Sequence, residues 1–418
     1  MTTTTGELTP LAKEEISRQG WIVEVIHQKR LTAMPKPRNP ETIAAANGIA
    51  ADTAFGAVTP PIVLSSTFSF AGFEQPRAHD YSRAANPTRE MLADTIAKLE
   101  GGAGAVVVSS GMAAIDLTLS QLGRDDLVIA PHDCYGGTYR LIAARRDRGQ
   151  FNVAFIDQND AEALDAALSL HPSLVLIETP SNPLMRVVDI SGVAERAHAA
   201  GAKVAVDNTF LSPALQQPIA LGADFVIHST TKFLNGHSDV VGGIVVAADK
   251  ADAESLAAWA NTTGVTGAPF DSYLTLRGLR TLFPRLRQQQ ASAGVLARFL
   301  DGHPKVKAVH YPGLASHPGH AIAKAQQAGF GAMLSFELTG GKEAVRRFVE
   351  AVEVFTLAES LGGVESLVAH PATMTHVGMG PEALHAAGIS DGLLRLSVGL
   401  EAEEDLVAGL ETGFAALT

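Results

Sequence analysis

Cysteine is almost absent from this sequence, which contains a single one, Cys134. One thiol cannot form a disulfide within the chain, so we expect a protein of the reducing cytoplasm. Apolar runs of the roughly 18–20 residues that cross a membrane are also missing. The first fifteen residues lack the charged-then-apolar order of a secretory signal. The sequence therefore predicts a cytoplasmic protein with no membrane partner.

Basic residues are outnumbered. The chain has 32 lysines and arginines against 44 aspartates and glutamates, for a net charge of −12 at pH 7. This excess of negative charge disfavours nucleic acid as a partner. It does not exclude a small anionic substrate or a phosphorylated cofactor, because local charge decides their binding. With 46% hydrophobic and 18% charged residues, the composition is typical of a globular enzyme.

The length and the hydrophobic pattern predict an α/β protein with more than one domain. At 418 residues, the chain exceeds the roughly 250–300 residues that one hydrophobic core usually serves. Short apolar runs predict seven strands, at residues 105–108, 127–130, 153–156, 174–177, 203–206, 225–227 and 243–246. Helical stretches such as 160–169 and 193–200 alternate with them. This alternation predicts a mostly parallel seven-stranded sheet with helices on both faces.

The composition and the predicted strand–helix pattern change at two points along the chain, and these changes suggest domain limits. Residues 1–40 are polar, threonine-rich and then proline-punctuated, and we predict an N-terminal extension and arm over residues 1–82. Residues 83–290 are predicted to form the α/β domain. A long helix at 287–300 and a strand at 332–338 follow, so residues 291–418 are predicted to form a smaller α+β domain.

Lys232 is the first candidate for chemistry. It lies just past the predicted strand 225–227, at the carboxyl edge of the sheet, where α/β enzymes place their sites. Ser229 and Thr231 flank it with hydroxyls that could hold a phosphate. An amine beside phosphate donors suits pyridoxal phosphate (PLP), which needs an amine for covalent attachment and anchors for its phosphate. The alternative is an ordinary exposed lysine on a loop.

Four further strand ends carry residues suited to the same cofactor. Ser110 and Gly111 begin a predicted helix, whose free N–H groups and dipole favour an anion. Asp207 could pair with the pyridine nitrogen of PLP, Asn182 could donate to the ring hydroxyl oxygen, and Tyr135 could stack on the ring. Each alone could be a cap, a turn or a packed side chain. Their joint placement at strand ends predicts the site.

These motifs, with Tyr-Ser-Arg-Ala-Ala-Asn-Pro-Thr at 81–88, resemble the cysteine/methionine-metabolism PLP enzymes, a branch of the aspartate-aminotransferase fold type. The resemblance runs from about Thr42 to the C-terminus. It implies that Lys232 is the lysine bonded to PLP, that Asp207 pairs with the pyridine nitrogen, and that Tyr135 stacks on the ring, all three being catalytic.

The resemblance also implies further cofactor contacts and an oligomer. The cofactor-binding residues it adds to the catalytic three are Tyr81, Arg83, Ser110, Gly111, Met112, Asn182, Ser229 and Thr231. Of these, Tyr81 and Arg83 would reach the phosphate of a neighbouring subunit. A site shared between two chains implies a homo-oligomer, which in this family is usually a dimer of dimers.

The expected substrate is a small amino acid. Arg395 would clamp its α-carboxylate, for which a guanidinium is well suited. The predicted substrate-binding residues are Tyr81, Arg140, Asn182, Glu359, Ser360 and Arg395. Arg140 is a candidate for the distal carboxylate of a succinyl ester. No metal site is expected, because His317 and His320 lack both helical ligand spacing and a nearby partner.

Glu359 resembles the glutamate of the family members that carry out γ-replacement and γ-elimination. The resemblance implies γ-replacement, in which O-succinyl-L-homoserine and L-cysteine give L-cystathionine and succinate. Cleavage of cystathionine by γ-elimination and sulfhydrylation of an O-acylhomoserine remain alternatives within the family. A non-catalytic PLP-binding protein is the alternative of a different class.

Overall fold

The computed structural model describes residues 38–417. Residues 1–37 of the predicted N-terminal extension lie outside this part, so nothing tests the prediction made for them. Residues 51–82 form turns and bends without a helix or strand, with isolated bridges such as the one between Thr67 and Tyr81. The domain limits predicted at residues 83 and 291, and the arm that contacts a neighbouring subunit, remain predictions.

The predicted seven-stranded sheet is confirmed. Its strands are β1 (Gly104–Val108), β2 (Leu127–Pro131), β3 (Asn152–Ile156), β4 (Leu174–Glu178), β5 (Lys203–Asp207), β6 (Phe225–Ser229) and β7 (Gly243–Ala247). They are arranged in the order β1-β7-β6-β5-β4-β2-β3. Only β7 runs antiparallel to its two neighbours, and the other pairs are parallel. The sheet is therefore mostly parallel, as the alternation of strands and helices predicts.

Helices precede, connect and follow these strands. They are α1 (Pro40–Ala46), α2 (Pro87–Glu100), α3 (Gly111–Leu119), α4 (Gly136–Asp147), α5 (Ala161–Leu168), α6 (Ile190–Ala199), α7 (Ser212–Leu215), α8 (Lys250–Thr263), α9 (Pro269–Leu279) and α10 (Leu282–Asp301). Two apolar clusters line the two faces of the sheet. Val175 and Ile177 of β4 belong to one cluster, and Leu174 and Leu176 belong to the other. The strand is buried on both faces because its side chains alternate between two helical layers.

Local sequence sets where the helix before β1 begins and ends. The side chain of Asn86 accepts hydrogen bonds from the N–H groups of Thr88 and Arg89, and Pro87 occupies the first turn of α2. This capping stabilises the free N–H groups of a helix start. Gly101 follows the helix with φ +78°, a left-handed conformation that glycine adopts without a steric cost.

A second, smaller sheet contains β8 (Val306–His310), β9 (Met333–Leu338), β10 (Thr356–Leu357), β11 (Leu367–Ala369) and β12 (Leu393–Ser397), in the order β10-β11-β12-β9-β8. Its helices are α11 (His320–Gln326), α12 (Gly341–Ala351), α13 (Pro381–Ala387) and α14 (Glu403–Ala415). The predicted long helix at 287–300 lies within α10, and the predicted strand at 332–338 is β9. The expected smaller α+β part is therefore present.

Neighbouring strands bring the predicted site residues to one edge of the large sheet. Lys232 follows β6, Asp207 ends β5, the loop with Asn182 follows β4, and the loop with Tyr135 follows β2. These four strands are consecutive in the sheet and parallel. Their carboxyl ends therefore meet, as in other open α/β sheets. In the described part of the chain, no helix has the length and apolarity needed to cross a bilayer.

Candidate active site

A cavity of about 260 Å³ opens at this edge of the large sheet, and the smaller sheet contributes part of its wall. Most of the predicted site residues line it, namely Ser110, Gly111, Met112, Tyr135, Asn182, Asp207, Ser229, Thr231, Lys232, Glu359, Ser360 and Arg395. Tyr135 lines the cavity and is 38% exposed. The structure thus gathers side chains from distant parts of the sequence into one space, while their individual roles stay predictions.

Lys232 carries the amine of the cavity. Its Nζ donates a hydrogen bond of 2.8 Å to Oγ of Ser360. Burial and, to a lesser extent, the charge of Arg395 lower the pKa of Lys232, and Glu359 opposes them, so that the pKa is about 8. A larger fraction of the amine is therefore neutral near pH 7–8 than for a lysine in water. Ser360 has φ +85°, a conformation uncommon outside glycine.

Arg395 lies in β12 and is 2% exposed. Its Nη1 donates to Oδ1 of Asn182 at 3.0 Å, and its Nη2 donates to the carbonyl oxygen of Ser360 at 2.8 Å. Its Nε is buried and has no hydrogen-bond partner among the described residues. Burial lowers the pKa of Arg395 to about 10. A carboxylate in the cavity would pair with this unmatched N–H and compensate the buried charge.

Two carboxyl groups end adjacent strands. Glu178 of β4 and Asp207 of β5 are partners in the parallel register. Burial raises the pKa of Asp207, and hydrogen bonds from Thr209 oppose the shift. Burial raises the pKa of Glu178 well above its usual range, and the charge of Asp207 adds to this effect. A cationic ring nitrogen beside Asp207 would offset the repulsion between the two groups.

The part of the cavity wall at the start of α3 fits a phosphate. Oγ of Ser110 accepts the N–H of Ala113 and caps α3, while no protein partner is found among the described residues for the N–H groups of Gly111 and Met112. A Cβ on Gly111 would lie 2.7 Å from Cβ of Ser229, so only glycine allows this approach of α3 to β6. A helix start with free N–H groups binds anions. The donor set therefore fits the phosphate of PLP.

Three predicted residues do not line the cavity. Tyr81 is 48% exposed, and Nη1 of Arg83 donates to the carbonyl oxygen and to Oδ1 of Asn261, at 2.6 and 2.8 Å. Arg140 is exposed on α4 and lies beside Gly378. Within one chain, none of the three takes part in the cavity wall.

Sequence reasoning missed two side chains that support the cavity. Glu178 is the last residue of β4, and a carboxylate at that position carries no local signal of its role. His376 packs edge-on against Tyr135, with 6.4 Å between ring centres, and its Nε2 lies 2.9 Å from the carbonyl oxygen of Asn182. Burial and the charge of Arg395 together lower the pKa of His376 to about 4, so a neutral ring donates this hydrogen bond near pH 7.

Metal-ligating side chains do not cluster in the described residues, where no group of three or more His, Cys, Asp or Glu residues could hold an ion. Cys134 is fully buried, and burial raises the pKa of its thiol well above the usual range. A buried thiol of this kind is a poor nucleophile.

Comparison with known proteins connects this geometry to a family. Residues 41–415 match the family model described as Cys/Met metabolism PLP-dependent enzyme. The chain is 57% identical to cystathionine gamma-synthase of Escherichia coli K12, over 91% of this chain and 98% of the relative. It is 47% identical to cystathionine beta-lyase of Lactococcus lactis subsp. cremoris, over 87% and 96% of the two chains.

Solved structures agree with the observed fold. The structure of cystathionine gamma synthase from Xanthomonas oryzae pv. oryzae in complex with cystathionine superposes with a TM-score of 0.90 at 57% identity. The match covers 91% of this chain and 99% of that chain. This likeness confirms the predicted α/β fold with its second, smaller part.

Proposed function

Since this chain belongs to the Cys/Met metabolism PLP-dependent enzyme family, we propose that it joins O-succinyl-L-homoserine and L-cysteine into L-cystathionine, with release of succinate. The observation that carries the proposal is the half-buried amine of Lys232, which shares one cavity with Arg395 and, like Arg395, donates a hydrogen bond to Ser360. The greater identity to a gamma-synthase, 57% against 47% for a beta-lyase, favours replacement over elimination.

The cavity residues have separate tasks in this reaction. When bound, PLP supplies an electron sink for negative charge that develops on the substrate carbons. Lys232 is positioned to take the proton from Cα of the amino acid, and its lowered pKa of about 8 favours an amine that both accepts and returns a proton. Asp207 would pair with the ring nitrogen, and Gly111 and Met112 would bind the phosphate through their N–H groups.

Arg395 would bind the α-carboxylate of the substrate. Its Nε has no partner among the described residues, and its two Nη atoms are fixed by Asn182 and Ser360. The guanidinium is therefore held in one orientation before substrate binds. Such preorganisation reduces the entropy lost on binding and aligns Cα with the amine of Lys232.

Purified protein with PLP and O-succinyl-L-homoserine tests the proposal directly. With L-cysteine present we expect cystathionine and succinate in equal amounts, and without it 2-oxobutanoate, measured by product separation. Inert O-succinyl-L-homoserine, together with cleavage of added cystathionine to 2-oxobutanoate, cysteine and ammonia, would make the chain a lyase. If no amino acid changes the absorbance of the bound cofactor, a non-catalytic PLP-binding role would follow.

Replacing Ser360 with alanine is expected to lower kcat about 10-fold. The change removes the hydrogen-bond acceptor that orients Nζ of Lys232, and a hydrogen bond to a charged group contributes about 1.5–3 kcal/mol. Steady-state kinetics at saturating substrate measures the effect. The matched control is Ser255→Ala, which removes an exposed hydrogen bond to Gln121 and should keep the wild-type kcat. A wild-type kcat in Ser360→Ala would rule out this orienting role.

We also propose that the enzyme works in the cytoplasm as a homo-oligomer, a dimer of dimers. Tyr81 and Arg83 lie outside the cavity of their own chain, as expected if they serve the site of a neighbouring subunit. Apolar side chains of the preceding segment, including Phe55 and Phe73, are 94% and 90% exposed in the single chain. Sedimentation analysis would measure the assembly, and a monomer with full activity would contradict it.

A further inference from the structure

Glu178 connects two loops that the cavity depends on. The carboxyl group is 8% exposed and ends β4. Its Oε2 accepts the backbone N–H of Tyr135 at 2.9 Å, and its Oε1 accepts the backbone N–H of Asn182 at 3.0 Å. One side chain thus uses both oxygens to fix the distance between two loops that are 43 and 4 residues away from it in sequence.

Each loop carries a side chain of the proposed site. Tyr135 immediately precedes α4, and its backbone N–H is held by the hydrogen bond to Glu178. Asn182 presents Oδ1 to Nη1 of Arg395 at 3.0 Å. A shift of Glu178 would therefore displace the tyrosine on one side of the cavity and the arginine on the other.

We propose that Glu178 is a positioning residue that sets the separation between Tyr135 and Asn182, and through them the orientation of the cofactor ring and of Arg395. The inference rests on the proposed function, because it assigns Tyr135 to the cofactor and Arg395 to the substrate carboxylate. Glu178 itself acts through these residues.

Glutamate is specifically suited to this position. The ionised carboxylate offers an acceptor at both oxygens, and here each oxygen accepts one backbone N–H. Glutamine has the same shape and one acceptor, and its amide N–H₂ would face one of the two backbone N–H groups. Glu178→Gln therefore breaks one of the two bonds without leaving a cavity. The amide N–H₂ of the glutamine and the backbone N–H that it faces are both donors, so they repel each other.

The two loops have a second connection, which makes the variant expected to fold. Oδ2 of Asp133 accepts hydrogen bonds from Oγ of Ser181 at 2.8 Å and from Nη1 of Arg186 at 3.0 Å. Asp133 does not line the cavity. Loss of one bond to Glu178 thus weakens the connection through Glu178, while the connection through Asp133 remains.

The experiment compares Glu178→Gln with wild type in two measurements, with PLP bound. Visible circular dichroism of the bound cofactor reports ring orientation and needs no substrate, and we expect its amplitude to change. Kinetics should show a higher KM for the homoserine ester and a kcat/KM lower by about 10- to 100-fold, because misplacement of site residues by about 1 Å has effects of this size. The control is Glu195→Gln, an exposed residue on α6, which should match wild type in both.

Glu178→Asp is the second variant, since it keeps two acceptors on a shorter side chain. It should change the dichroism and KM in the same direction as Glu178→Gln. Wild-type dichroism and KM in either folded variant would overturn the inference, and so would failure of both variants to fold, which would assign Glu178 to stability. If the wild-type chain makes no cystathionine, the proposed function fails, yet the dichroism still decides the role of Glu178.

Discussion

Lys232→Ala is expected to lower the rate of cystathionine formation by at least about 10⁴-fold, the upper range for loss of a general base. The variant loses both the amine that would hold PLP covalently and the base proposed to move the Cα proton. The hydroxyl of Ser360, which accepts a hydrogen bond from Nζ at 2.8 Å, is far less basic and is not expected to replace it. Product separation at matched protein concentrations measures the rate.

A second measurement separates chemistry from folding. Borohydride reduction followed by peptide mass analysis should find the cofactor attached to Lys232 in wild type and no attached cofactor in the variant. Lys203→Ala is the matched control, because Lys203 forms a surface ion pair with Asp252 at the opposite end of the sheet. Cystathionine formed by Lys232→Ala at the wild-type rate would refute the mechanism.

Hydrophobic pattern alone predicted the strands of the large sheet to within one or two residues. A strand such as β4 is buried at every position, so a short run of branched and apolar residues identifies it. The order of the strands and the reversed direction of β7 depend on contacts between distant segments. The local sequence of each strand does not indicate which strands become its neighbours, so the strand order was not predicted.

The site was predictable to the extent that its residues stand directly at strand ends. Lys232 and Asp207 follow or end apolar runs, so their common edge follows from a parallel sheet. Glu178 also ends a strand, but its role lies in bonds to backbone N–H groups of two loops. His376 comes from a distant turn. The roles of Glu178 and His376 can be recognised only from the three-dimensional arrangement, because many polar residues can form hydrogen bonds of this kind.

Arg395→Lys is expected to lower kcat/KM for O-succinyl-L-homoserine by about 100-fold or more, a size typical of a misaligned substrate. Lysine keeps the charge but loses the planar fork. The arginine bonds Asn182 Oδ1 and the Ser360 carbonyl oxygen at once and still offers Nε to a carboxylate. A single ammonium group at the end of a flexible chain cannot hold the two protein partners and the substrate in the same geometry.

Initial-rate kinetics over a wide substrate range measures this loss, and KM should rise more than kcat falls because the α-carboxylate is bound before the proton moves. PLP content should stay at the wild-type level, since Arg395 is not proposed to hold the cofactor. Arg280→Lys is the matched control, because Arg280 also donates through both Nη atoms, to the carbonyl oxygens of Ala44 and Asn47, away from the cavity. An unchanged KM in Arg395→Lys would mean that another group binds the α-carboxylate, and the unmatched Nε of Arg395 would then need a different partner.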